Sequence, residues 1–101
     1  MTMPGMTNAE KAAYYLKEFE RWADEVAQHM KLSRRVGENE ARARCEDHRM
    51  IDFYAEDDMS RNPWALIAKG KRDAMLARAN LYASLAIMDQ LNAQQSTERL
   101  L

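Results

Sequence analysis

The sequence predicts an all-α fold, either a three-helix bundle or a long kinked helical hairpin, with self-association favoured. Three observations carry this. The 101 residues include only 3 Gly and 2 Pro, with 47% hydrophobic and 31% charged residues, which suits a folded globular chain. Apolar residues recur with a helical period over two long stretches. One strong start signal, Asn62-Pro63, separates them.

The first helix is expected over residues 8–36, after a flexible leader at 1–7. Thr7 and Asn8 are both good N-cap residues, and Glu10 suits the first turn. Ala12, Leu16, Phe19, Ala23, Val26 and Met30 form a narrow stripe, with Tyr15, Trp22 and His29 along one margin. Lys31, Arg34 and Arg35 favour a helix C-terminus, and Gly37 suits the residue just past it. The second helix is expected over 38–57. Oppositely charged residues at Glu38/Arg42, Arg42/Glu46, Glu40/Arg44 and Glu46/Arg49 support it by ~0.2–0.5 kcal/mol each. Ala41, Cys45, His48, Ile51, Tyr54 and Ala55 make its less polar face. Gly costs only ~1 kcal/mol inside a helix, so a single helix over 8–57 kinked at Gly37 is the alternative.

The third helix is expected over 63–95, ending the single helical domain 8–95, with 96–101 a frayed tail. Leu66, Ile67, Gly70, Ala74, Ala77, Leu81, Leu85, Met88 and Leu91 share one face, expected to be the core. Gly70, Ala74 and Ala77 would let another helix approach closely. Trp64, Ala68, Met75, Tyr82 and Ala86 form a second stripe. A helix apolar on more than one face is usually central in a bundle or buried in an oligomer.

Charge and absences narrow the function. Net charge is -1, against a basic nucleic-acid module. Charge is uneven, at +1 over 8–36, -5 over 38–59 and +3 over 60–101. The acidic second helix can therefore lie beside the basic third, or dock a basic partner. The longest uncharged run in the folded part, Ala79 to Met88, is half of the ~20 residues that a membrane span needs. The N-terminus lacks signal-peptide character, so a cytoplasmic protein is expected. Alanine and an excess of Arg over Lys point to a GC-rich genome.

Candidate chemistry is sparse. Cys45 and His48 stand three apart, a spacing that can activate a thiolate or begin a metal site. No Gly-rich turn supplies an oxyanion site, and a zinc site needs about four ligands. The eight acidic residues of 38–58 lack the Glu-x-x-His motif of di-iron bundles. No catalytic, cofactor-binding or metal residue is therefore assigned, and no cofactor is expected. Lys69, Lys71, Arg72 and Arg78 are the most basic cluster, but Asp73 interrupts it and no helix-turn-helix spacing is evident. Tyr14, Met50, Phe53, Trp64, Met75 and Tyr82 are the expected partner-binding residues, because aromatics and Met are enriched at interfaces.

Asn62-Pro63-Trp64, followed by the Ala-rich Ala77-Arg78-Ala79-Asn80-Leu81-Tyr82-Ala83-Ser84-Leu85-Ala86-Ile87, resembles the closing helix of small all-helical orphan proteins of actinobacteria and their phages. The resemblance spans about a third of the chain. It implies a small accessory protein, with no catalytic residue to transfer. The expected function is a non-enzymatic protein acting through protein-protein interaction, with itself or a host protein as partner. The alternatives are a structural or assembly component of a phage particle, a thiol or metal enzyme if Cys45, His48 and His29 converge, and a weak nucleic-acid-binding regulator.

Overall fold

The computed structural model describes residues 5–100. It contains three helices and, among the described residues, no strand: α1 (Asn8–Ala43), α2 (Arg49–Ser60) and α3 (Pro63–Leu100). The all-α expectation holds.

Thr7 starts α1. Its Oγ1 accepts from the Glu10 N–H at 3.1 Å, and Glu10 Oε1 accepts from the Thr7 N–H at 3.3 Å. This reciprocal pair satisfies two otherwise unpaired donors. Of the expected leader, residues 1–4 lie outside the described ones. Asn62 starts α3 as expected. Its Oδ1 accepts from the Trp64 N–H at 3.1 Å and the Ala65 N–H at 3.4 Å, with Pro63 as the first helical residue. The far end differs from expectation, because α3 continues through 96–100.

The expected boundary at Gly37 is corrected. α1 runs through Gly37 and ends at Ala43. The turn is made at Cys45, whose φ is +54°. The Glu46 N–H donates to Ala41 O at 2.9 Å, and the Cys45 N–H donates to Arg42 O at 3.1 Å. This is the Schellman closure, with cysteine in the position usually held by glycine. The expected 38–57 helix is thus divided. Its Glu40–Arg44 pair, at 2.7 Å, spans the end of α1, and α2 begins only at Arg49.

A left-handed residue with a Cβ is strained. Cys45→Gly should therefore raise stability by about 0.5–1 kcal/mol. The urea midpoint should rise at unchanged slope. No rise would mean that the left-handed turn costs nothing here.

The chain divides into two compact units, and α1 and α3 each contribute to both. The unit of residues 20–72 holds a core of Val26, Met59, Ala65 and Ala68, with Trp22 packed against it. Its α1–α2 contact is very close. Gly37, Ala41 and Ala55 are buried there, and a Cβ on Gly37 would stand 2.5 Å from Ile51 O. Beside them Ser33, 1% exposed, donates to Asp58 Oδ2 at 2.7 Å. The other unit pairs the start of α1 with α3 from residue 73 onward. The Tyr15 and Tyr82 rings stack there at 5.5 Å, and Asn8 Nδ2 donates to Asp89 Oδ2 at 2.8 Å.

The facing of α3 overturns the expected core. Its buried and half-buried positions are Ala65, Ala68, Lys69, Arg72, Met75, Ala79, Tyr82, Leu85 and Ala86, which include most of the second stripe and, from the expected core face, Leu85. Leu66, Ile67, Leu81, Met88 and Leu91, expected inside, are exposed. The reason is volume matching. α1 turns large side chains inward, Trp22 and Val26 in one unit, where α3 contributes Ala65 and Ala68, and Tyr15 and Phe19 in the other, where Tyr15 stacks on Tyr82. On α1 the aromatic margin turns inward, while Leu16 and Met30 are exposed.

Candidate functional site

Of the groups considered for covalent chemistry, Cys45 is a free, exposed thiol. Cys45 and His48 do not share a helical face. Both belong to the exposed turn before α2, and His48 Nδ1 pairs with Asp47 Oδ1 at 2.8 Å. His29 is half-buried on α1. Among the described residues no three of His, Cys, Asp and Glu are gathered to hold a metal ion. No helix of the described residues is long and apolar enough to cross a membrane.

A groove of about 500 Å3 lies between α1 and α2, lined by Val36, Glu40, Arg44, Phe53, Tyr54, Asp57, Asp58 and Arg61. Its charges are largely matched. Arg44 pairs with Glu40, and Arg61 pairs with Asp57 at 3.2 Å. The Tyr54 hydroxyl donates to Glu46 Oε2 at 2.6 Å, which holds the phenol proton above its ordinary pKa. The Arg44 guanidinium lies 5.3 Å over the Tyr54 ring. Its pKa is raised first by the hydrogen bond to Glu40. This is a braced ionic surface on the α1–α2 junction.

The basic cluster is likewise drawn toward α1. Lys71 Nζ lies 4.5 Å over the Trp22 ring, and Arg78 lies 5.7 Å over the Tyr15 ring. These cation–π contacts direct two of the four cations onto aromatic faces.

The six expected partner-binding residues separate into two groups. Tyr14, Phe53 and Trp64 are exposed, Trp64 by 72%. Met50 is half-buried on α2. Met75 and Tyr82 are half-buried on the side of α3 that carries the buried alanines, and Tyr82 is held between the Tyr15 ring and Lys11. Both are less accessible than Tyr14, Phe53 and Trp64.

What the exposed side of α3 offers instead is a long apolar face. Ile67, Gly70, Ala74, Ala77, Leu81, Ser84, Met88 and Leu91 alternate spacings of three and four, all are exposed and none is charged. Those spacings follow the heptad pattern. Seven of these eight residues, all but Ser84, belong to the expected core face. Nothing in the sequence showed that alanines would take the interior and leave the larger residues outside. No protein-family model matches the chain, and no curated protein or solved structure matches it.

Proposed function

We propose that the chain is a non-enzymatic interaction protein that acts by burying the outer face of α3 against another helix, with a second copy of itself as the first partner. The observation that carries this is the uncharged heptad seam of α3, with Leu81 55% and Met88 57% exposed. Large apolar patches on soluble chains mark interaction sites. The single exposed thiol, Cys45, suits a reducing, cytoplasmic setting.

Light scattering after size exclusion tests the reading, from about 1 µM to about 1 mM chain. The expected mass is twice the 11.7 kDa of the chain at the upper end, falling on dilution. Leu81→Glu should give one chain mass throughout while keeping its helical signal. A wild-type chain that is monomeric at every concentration would overturn self-association.

A further inference from the structure

We infer that two copies pair antiparallel through residues 74–91 of α3, in a register that sets each small seam residue against a large one. The inference rests on the self-association proposed above and adds its geometry. The seam within this stretch reads Ala74, Ala77, Leu81, Ser84, Met88 and Leu91, and all six are exposed. Its bulk is uneven, with small residues first and large ones mainly last.

That order discriminates between orientations. Helices pack 8–10 Å apart, according to the side chains between them. In a parallel, in-register pair, Ala74 and Ala77 would meet their own copies and draw the axes together. Leu81, Met88 and Leu91 would meet theirs and force the axes apart. Two straight helices cannot satisfy both ends. Turned antiparallel, Ala74 faces Leu91 of the second copy, Ala77 faces Met88, and Leu81 faces Ser84. The two-fold axis then passes between Tyr82 and Ala83, and each layer holds one large and one small residue, the interdigitation that close packing needs.

Two further observations fit. Ser84 is the one polar side chain of this seam, and its hydroxyl already donates to Asn80 O at 3.0 Å. Covering it leaves no unpaired donor. Arg78, on the flank, is turned toward the Tyr15 ring and in this register lies level with Ile87 of the second copy rather than with its own counterpart. The area also fits. Leu81, Met88 and Leu91 of the seam, and Ile87 on its flank, are each half exposed or slightly more, on the order of 100 Å2 apiece. With the small residues between them, the pair would bury somewhat under about 1,000 Å2, the size of a weak, transient interface. A reversible dimer follows, one that dissociates on dilution.

Disulfide trapping tests the register in a thiol-free Cys45→Gly background. Chains carrying Ala77→Cys are mixed with chains carrying Met88→Cys, oxidised gently, and the products weighed by mass spectrometry. Both sites are exposed, and helical signal and thermal midpoint establish that each variant folds. The two positions are eleven residues, about 16 Å, apart along one helix, whereas a disulfide needs Cα atoms about 4.4–6.8 Å apart. The expected product is the mixed 77–88 disulfide, as the majority of cross-linked chain, with none from either variant alone. A disulfide from one variant alone overturns the antiparallel register and leaves self-association standing. A dimeric mass with no cross-link overturns this seam as the interface. A monomeric mass at every concentration overturns both readings.

Discussion

Gly37→Ala is expected to destabilise the protein by about 2–3 kcal/mol, lowering the thermal midpoint by on the order of 10–20 °C for a domain of this size. Within a helix, alanine is ordinarily the better residue by ~1 kcal/mol, so the expected sign is opposite to propensity. The cause is the close approach of α2. An added Cβ would stand 2.5 Å from Ile51 O, 3.1 Å from Ala55 N and 3.4 Å from Ala55 Cβ. The first two are backbone atoms, so no change of rotamer relieves them, and α2 must shift away from α1. That shift would disturb the buried contacts of Ala41 and Ala55 and the hydrogen bond from Ser33 to Asp58. Gly70→Ala is the counterpart. Nothing lies within 4 Å of a Cβ there, so the substitution should stabilise by about 0.5–1 kcal/mol through propensity alone. Thermal unfolding followed by circular dichroism separates the two. A Gly37→Ala chain as stable as the parent would mean that α2 does not dock against α1 at this point.

Met59→Ala should cost about 2–5 kcal/mol, while Leu81→Ala should cost under ~1 kcal/mol in the monomer. Met59 is 3% exposed and belongs to the core with Val26, Ala65 and Ala68. Truncating it leaves a cavity in the three-helix unit as well as losing transfer energy. Leu81 stands on the outer seam, more than half exposed, so its removal returns little surface to water. Denaturant titration at low micromolar concentration measures both without a contribution from association. Repeating it at high concentration should enlarge the Leu81→Ala effect, because a partner that binds only the folded state stabilises it by mass action. A Leu81→Ala loss as large as that of Met59→Ala at low concentration would place the outer seam inside the fold.

The comparison of those two residues also shows how far the sequence could be read. Periodicity found both long helices, and composition found the class. Asn62 and Pro63 marked the start of α3 to the residue, because an N-cap acts through atoms within three residues of it. The heptad seam of α3 was legible as an apolar face, but the side on which its partner lies was not. Both faces of α3 are apolar, and a one-dimensional pattern does not rank a row of alanines against a row of leucines. The ranking came from α1, whose Tyr15, Phe19, Trp22 and Val26 supply the volume that α3 would otherwise have had to provide.

The candidate site inherits that reversal. Tyr15 stacks on Tyr82, and Tyr82 and Met75 both lie half-buried on the inward side of α3. Leu81, Met88 and Leu91 are the surface because the same α1 side chains leave them uncovered. Gly37 is the second case of this kind. Its neighbourhood of Arg34, Arg35 and glycine reads locally as a helix end, yet the residue serves a contact with Ile51 and Ala55, which follow it by 14 and 18 positions.

The sequence by itself determined the helical class, the capped starts of α1 and α3, and the presence of an uncharged apolar seam over residues 67–91. All of these are local, set by backbone hydrogen bonding and side-chain spacing within a few turns. Only the tertiary structure decided that α1 passes through Gly37 and closes at Cys45, and which side of α3 is interior. Those are questions of whether volumes from distant segments fit together. Close packing decides them, since it rewards only side chains whose shapes fill the space left by their neighbours.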